Sequence, residues 1–562
     1  MRHDNALQFA DSYDTLYRSF KWNIPSRLNI ASVCCSDWAK YEPARPALHH
    51  VHNDGKVEQF SFSRLNKLSN KLANSLVQLG LRRRDRIGVL LPQGPETLIS
   101  HLAIYKSGAI AVPLALLFGE DALSYRLNNA GVACLITNKQ GFEKLRPLRE
   151  YIPELKGIIV CDALDNEPLP EQTYSLDWLL AQSKDEFTCV DTGPDDPALM
   201  IYTSGTTGPP KGALHGHRVL LGHLPGMQLS HDFLPQQGDR IWTPADWAWA
   251  GGLLNVLLPS LMLGVPVISS SQQKFEPEWA FTLMQDLNIV NAFIPPTALK
   301  MLRTVSNPAE QFKLKLRDIA SAGEALGADT YNWGVETLGI KINDAYGQTE
   351  CNLVLGSSAA LGMNRAGSIG RAVPGHRVAI IGPDGEILPT GAQGEIAIHA
   401  PDPVMMLSYW QMPQETAAKF IGPNKDWFTT GDQASIDEDG FVSFIGRDDD
   451  IITSAGYRIG PTEVEDCLLS HPSVSLAAVV GKPDRLRTEI VKAYIVLADE
   501  ELPEEELRTE IQHYVRERLS AHAYPREIAF RAQLPLTTSG KIIRRALRDE
   551  ASREAAFEQS VL

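Results

Sequence analysis

The stretch YTSGTTGPPKG at 202–212 concentrates more chemistry than any other part of the chain. Thr203, Ser204, Thr206 and Thr207 are interleaved with Gly205 and Gly208, and Lys211 follows. Glycine lets backbone N–H groups approach an anion, hydroxyls donate to phosphate oxygens, and a lysine adds a point charge. The apolar run ALMIY precedes the stretch, so the loop should open from a strand end. It is not a Walker A loop, because Pro210 precedes Lys211 and Gly212 follows it. A second lysine, Lys541, stands in a Ser-Gly-Lys turn that lets a long side chain reach outward. A cation placed where negative charge develops lowers a barrier.

The 202–212 stretch resembles the phosphate-binding loop of the adenylate-forming superfamily, which includes acyl-CoA synthetases. Five further segments resemble the family's motifs in order: SAGEAL (321–326), DAYGQTE (344–350), TTGD (429–432), GRDDDIITSAGYRIGPTEVE (446–465) and PLTTSGKIIRR (535–545). The opening segment FKWNIPSRLNIASVCCSDWA is similar to medium-chain acyl-CoA synthetases, so the resemblance covers nearly the whole chain. It implies a reaction in two halves. A carboxylate attacks the ATP α-phosphate to give acyl-AMP and pyrophosphate, and coenzyme A then displaces AMP.

The resemblance also implies roles. Thr203, Ser204, Gly205, Thr206, Thr207, Gly208 and Lys211 would hold the β- and γ-phosphates. Glu350, with Thr203, would hold Mg²⁺, and these two with Lys541 form the implied catalytic set. Gly323, Glu324 and Ala325 would contact adenine. Asp344, Ala345, Tyr346, Gly347, Gln348 and Thr349 complete the nucleotide site, with Tyr346 stacked on the base. Asp432 would accept from the ribose hydroxyls and Arg447 would reach the ribose. Lys541 would bridge the carboxylate and the α-phosphate. Asp449 falls at the hinge about which the C-terminal part swings, Gly456 would line the pantetheine tunnel, and Arg458 would contact phosphate.

The acid is less sharply written. Acetyl-CoA synthetases carry DTWWQTE where this chain has DAYGQTE, so Gly347 replaces an indole that closes their acyl pocket. That implies an acid larger than acetate: medium-chain, branched or aromatic. Gly323 and Gly347 would border it, with Trp249 and Trp247 of ADWAWAGG (245–252) as walls, although both could equally be core residues. Tryptophan attracts cations, which leaves a zwitterionic acid open. Asp246 could pair with such a cation or cap the next helix. Two other functions stay open: loading of a carrier-protein thiol, and a catalytically dead ligand-binding member. The P-x4-G-K spacing from Pro535 to Lys541 resembles a segment that protein acetyltransferases recognise.

These residues need a scaffold. Strand-like runs such as RIGVLLP (86–92), ACLIT (133–137), GIIVC (157–161), NAFIPP (291–296) and DIASAG (318–323) alternate with helical stretches. That alternation predicts an α/β fold with helix-covered, mostly parallel sheets. Residues 365–446 predict a small β-barrel-like subdomain of an N-terminal domain 1–446. Residues 447–450 read as a hinge and 451–562 as a small, mobile α+β domain. Its helix 503–520 should bury Leu507, Ile511, Tyr514, Val515 and Leu519. The uncharged window 247–271 is broken by Pro259 and Pro266, so it predicts a buried helix to about Gly264 and a strand VPVIS rather than a membrane span. The net charge of −15 over 562 residues argues against a nucleic-acid or anionic-membrane binder. Scattered cysteines without a CxxC pair, and no apolar run at the start, predict a reduced, cytoplasmic setting without a zinc site.

Overall fold

The computed structural model describes residues 6–163, 169–203, 209–272, 274–447, 450–454, 457–484, 487–498, 504–519, 523–537 and 541–561. One sheet runs, edge to edge, through Arg371–Ala372, Asn352–Gly356, Asn343–Gln348, Asp318–Ala322, Asn291–Phe293, Ile241–Trp242, Val267–Ser270, Pro46–Val51 and Val57–Ser61. Its pairings from Asn343–Gln348 to Pro46–Val51 are parallel, and those at both edges are antiparallel. A second sheet runs through Ser408–Tyr409, Lys211–Gly216, Pro197–Thr203, Ile110–Leu114, Arg86–Leu90, Val132–Thr137, Gly157–Val160 and Thr173–Ser175. It is parallel from Pro197–Thr203 onward. Strands buried on both faces must be apolar throughout, and runs such as VACLIT are.

The facing sides of the two sheets share one core. Val89 and Ile201 of one sheet and Val267 and Ala320 of the other pack with Leu220, Leu221 and Leu224. Those leucines belong to the helix Val219–Ser230, which is buried along its whole length. A helix that is apolar all round is stable only in such an interior. Helix Pro95–Lys106 is buried almost as fully and ends on a buried lysine. Lys106 Nζ donates to Asn66 Oδ1 at 2.7 Å, Ser69 Oγ at 2.8 Å and Asn70 Oδ1 at 2.7 Å. Burial lowers its pKa.

The window 247–271 forms helical segments Ala250–Gly252, Leu253–Leu257 and Leu258–Met262, the middle one a π-helical turn, and then the strand Val267–Ser270. Among the described residues, no helix is long and apolar enough to cross a membrane. A third, antiparallel sheet is made by Val378–Ile381, Gln393–His399, Trp427–Ile436 and Phe420–Ile421, with Val442–Arg447 also on Trp427–Ile436. Beyond it, Tyr457–Ile459, Ile452–Ser454, Thr488–Leu497 and Val474–Asp484 form a fourth sheet, with Glu527–Phe530 parallel to Thr488–Leu497. Helix Glu504–Arg518 buries Leu507, Ile511 and Val515 against it. Leu519 departs from the expectation: the helix ends before it, and it is exposed.

Candidate functional site

The C-terminal ends of parallel strands are where α/β sheets bind ligands. Strand Asp318–Ala322 starts from a buried anchor: Asp318 Oδ1 lies 2.6 Å from His231 Nδ1, and Oδ2 accepts from Asn291 Nδ2 at 2.7 Å. The strand delivers Gly323 at its far end with φ +99°, a backbone shape that side chains resist. The Lys541 ammonium stands there, and a Cβ on Gly323 would lie 3.7 Å from Nζ. That is ordinary van der Waals distance, so the positive φ rather than crowding by the amine calls for glycine here. Lys541 is exposed as a residue, while its Cε and Nζ lie against Gly323 and lose water there. That loss of water lowers its pKa; Glu324 opposes the fall, Arg447 adds to it and Asp432 opposes it. Glu324 in turn accepts from Thr297 Oγ1 at 2.8 Å. Ala325 follows in the same turn.

The neighbouring parallel strand Asn343–Gln348 ends beside the third sheet. Tyr346 Oη and Gln348 Nε2 each donate to Asp432 Oδ2 at 2.5 Å. Gln348 also donates to the Thr430 carbonyl at 2.8 Å. Arg447 pairs with Asp432 in strand register and brings its guanidinium to 3.9 Å from Oδ1. Asp432 thus presents one oxygen to its own protein's donors and one toward the cationic side. Burial raises the Tyr346 phenol pKa, and Asp432 adds to the rise. Asp344 Oδ1 accepts from the Ala345 N–H at 2.9 Å, and burial raises the Asp344 pKa. The Thr349 backbone meets the buried His215 ring, which is held neutral with a pKa of about 3.

Thr203 and Lys211 face each other in register at the mouth of the second sheet. Glu350 Oε1 accepts from Tyr409 Oη at 2.6 Å, and Lys211 Nζ lies 5.2 Å from the centre of the same tyrosine ring. Ser204, Gly205, Thr206, Thr207, Gly208, Asp449 and Gly456 lie outside the described residues, and Arg458 is placed only as part of the strand Tyr457–Ile459.

On the acyl side, Trp247 is 1% exposed and packs in the core between the sheets. Trp249 is half-buried, its ring edge-on to Phe118 at 5.7 Å. Asp246 is occupied locally: Oδ1 accepts from the Ala248 N–H at 2.9 Å, and burial raises its pKa to about 6. Gly347 differs from the expected empty space. A Cβ there would stand 1.5 Å from the Asn352 carbonyl oxygen, across an irregularity in the hairpin. Glycine is required by the hairpin's own backbone, so a larger residue would need a different course from 347 to 353.

The segment bearing Lys541 is docked by specific contacts. Arg544 pairs with Glu465 at 2.5 Å, and Arg548 with Asp450 at 3.0 Å. Asp466, on helix Pro461–Leu469, faces Gly327, where a Cβ would lie 3.0 Å from Oδ1. Burial raises the Asp466 pKa to about 6; Lys300 opposes this, and Glu465 and Asp329 add to it. Sequence reasoning missed Thr297, Tyr409 and Asp466. Each acts across the fold, and none sits in a phosphate-type pattern.

Comparison with known proteins accords with this arrangement. A family model described as AMP-binding enzyme matches residues 35–410, and one described as AMP-binding enzyme C-terminal domain matches residues 463–541. A human protein named acyl-coenzyme A synthetase ACSM4, mitochondrial, is 33% identical over 547 residues, covering 94% of this chain and 91% of its own. The crystal structure of an acyl-CoA synthetase from Brucella canis is 34% identical, with a TM-score of 0.75, covering 96% of this chain and 99% of that one. An anthranilate CoA ligase, AuaEII, crystallised with anthranoyl-AMP, superposes with a TM-score of 0.85 at 26% identity, covering 95% and 99%.

Proposed function

The chain belongs to the AMP-binding enzyme family and is an acyl-CoA synthetase, an acid–thiol ligase acting on a carboxylic acid, ATP and coenzyme A; from that premise we propose how its residues share the work and which acid they take. Lys541 serves the first half-reaction, in which the carboxylate attacks the α-phosphate. One observation carries this: an amine from the last part of the chain stands beside Gly323, within electrostatic reach of Glu324, Asp432 and Arg447. Asp432 and Arg447 hold the ribose, and Gly323, Glu324, Ala325 and the 344–349 strand end form the base side. Thr203, Ser204, Gly205, Thr206, Thr207, Gly208 and Lys211 hold the β- and γ-phosphates.

Glu350 and Thr203 are the oxygen donors for Mg²⁺. A hard cation suits them, and when bound it neutralises the phosphates. The residues fit, because the Glu350 carboxylate is hydrogen-bonded through one oxygen and no ion pair consumes it among the described residues. The units are 1–446, a hinge at 447–450 containing Asp449, and 451–562. After the first half the C-terminal unit turns to admit coenzyme A past Gly456, and Arg458 leaves its phosphate contact.

The acid is larger than acetate, with medium-chain, branched and aromatic acids as candidates. Trp249 beside Phe118 supports an apolar or aromatic wall. The local bond from the Ala248 N–H to Asp246 Oδ1 speaks against its pairing with a cationic substrate. Acetylation of Lys541 by a protein acetyltransferase would remove the working charge. The test is AMP formation from Mg·ATP over a panel of acids from acetate to decanoate, with branched, aromatic and ammonium-bearing members, with and without coenzyme A. Strong coenzyme A-dependent turnover on one class fixes the acid. Best turnover on acetate would overturn the size argument.

A further inference from the structure

Lys211 and Glu350 carry opposite charges on segments that the proposed reaction needs together. Among the described residues, no ion pair joins these two. Tyr409 serves both instead: its hydroxyl donates to Glu350 Oε1 at 2.6 Å, and its ring lies under Lys211 Nζ, 5.2 Å from the centroid. We infer that Tyr409 is a positioning residue for the triphosphate site, holding the acid by its hydroxyl and the amine by its ring face so that the two stay apart.

The tyrosine is well placed for this. It is 5% exposed, and its own N–H donates to Thr416 Oγ1 at 2.9 Å. It lies in the two-residue strand Ser408–Tyr409, paired with Ala213 of the strand that begins at Lys211. The Trp410 N–H donates to the Gly212 carbonyl at 2.7 Å, and the Met406 N–H to the Glu350 carbonyl at 2.8 Å. One short segment is therefore tied by backbone to Glu350 and to Gly212, the residue that follows Lys211. Neither charge is neutralised by the other. Each is held by Tyr409 on one side only, so it can meet a phosphate or a cation while the tyrosine keeps it in place.

The inference rests on the reading that Lys211 and Glu350 serve the triphosphate and its metal, so the test carries controls for that reading. Mg·ATP and, separately, AMP are titrated calorimetrically into the intact protein and into Tyr409→Phe, Tyr409→Leu, Lys211→Met and Glu350→Gln. Loss of one charge-assisted hydrogen bond should weaken Mg·ATP binding about tenfold or more in Tyr409→Phe, and Tyr409→Leu should lose more, because the cation is released as well. AMP has no β- or γ-phosphate, so its affinity should hold in both variants. Thioester formation from supplied acyl-AMP and coenzyme A should hold too. If Tyr409→Phe binds Mg·ATP like the parent while Lys211→Met and Glu350→Gln do not, the tyrosine's role is refuted and the site stands. If Lys211→Met and Glu350→Gln also bind like the parent, the underlying reading falls. Parallel loss of AMP binding would mark a merely structural tyrosine and would overturn the inference. Should Tyr409→Leu fail to fold, Tyr409→Phe decides alone.

Discussion

Replacing Lys541 with alanine separates the two halves of the reaction. The ammonium is held at Gly323, 3.7 Å from the place a Cβ would take. Two unit charges about 4 Å apart interact with about 4 kcal/mol at an effective dielectric of about 20. Glu324 and Asp432 already draw on that field, so the net loss should fall somewhat below it. That gives about 10²- to 10³-fold in the adenylation rate, the scale seen when one preorganised donor is removed from a developing charge. Exchange of pyrophosphate into ATP reads this half, and release of thioester from supplied acyl-AMP and coenzyme A reads the other. Exchange should fall and thioester release should hold. Glu324→Gln adds a test of sign. Only the protonated amine stabilises developing negative charge, so adenylation is lost as pH rises through the Lys541 pKa, which burial sets below the ordinary 10.5. Glu324 is the largest influence holding that pKa up. Removing its charge lets the pKa fall further, and the alkaline limb should move to lower pH. Equal loss of both halves in Lys541→Ala would refute the assignment of Lys541. An unmoved or raised limb in Glu324→Gln would refute the coupling.

Asp466 predicts a pH effect on docking of the C-terminal unit. Its proton is held to about pH 6, against an ordinary 3.8, so docking is strongest below about pH 4 and its penalty is complete above pH 6. With about 1.36 kcal/mol per pKa unit, that penalty is at most about 3 kcal/mol. Distance-reporting dyes on the two units should show docking weaken from pH 4 to pH 6 in the parent and far less in Asp466→Asn. The buried histidines set a stability slope. His101, His215, His217 and His223 have pKa values lowered by burial to about 4, 3, 4 and 3. The unfolded chain takes protons near the ordinary 6.5 and the folded one does not, so stability should fall as pH drops below 6.5. Melting temperatures from pH 7 to pH 4.5 should fall, and His223→Leu should lower the slope by about one proton, or about 1.36 kcal/mol per pH unit. Gly347→Ala places a Cβ 1.5 Å from the Asn352 oxygen and should destabilise the protein by about 1–3 kcal/mol by displacing the hairpin. A melt unchanged from the parent would show that the hairpin yields freely.

What could be read from the sequence follows from how far apart the cooperating residues lie. The candidate phosphate loop stands out because its hydroxyls, glycines and lysine occupy adjacent positions between Thr203 and Lys211. The parallel sheets were legible because a strand buried on both faces writes itself as an apolar run, as in VACLIT. The Tyr409–Glu350 hydrogen bond joins residues 59 apart, and the Thr297–Glu324 bond residues 27 apart. Neither follows from local composition: the first needs the register of the edge strand Ser408–Tyr409, and the second needs the helix Pro296–Leu302 set beside the end of the central strand Asp318–Ala322. A two-residue strand at Ser408–Tyr409 leaves no periodicity to read. Gly347 shows the same limit from the other side. Its identity suggested an emptied pocket, whereas its Cβ direction points at a backbone oxygen of the next strand. A glycine marks a place where a side chain is missing, but only the fold shows whether a ligand or the chain itself fills that place. Candidate charges are therefore found by motif, and the groups packed against them are found by register. A sequence of this kind yields the first set and leaves the second to the structure.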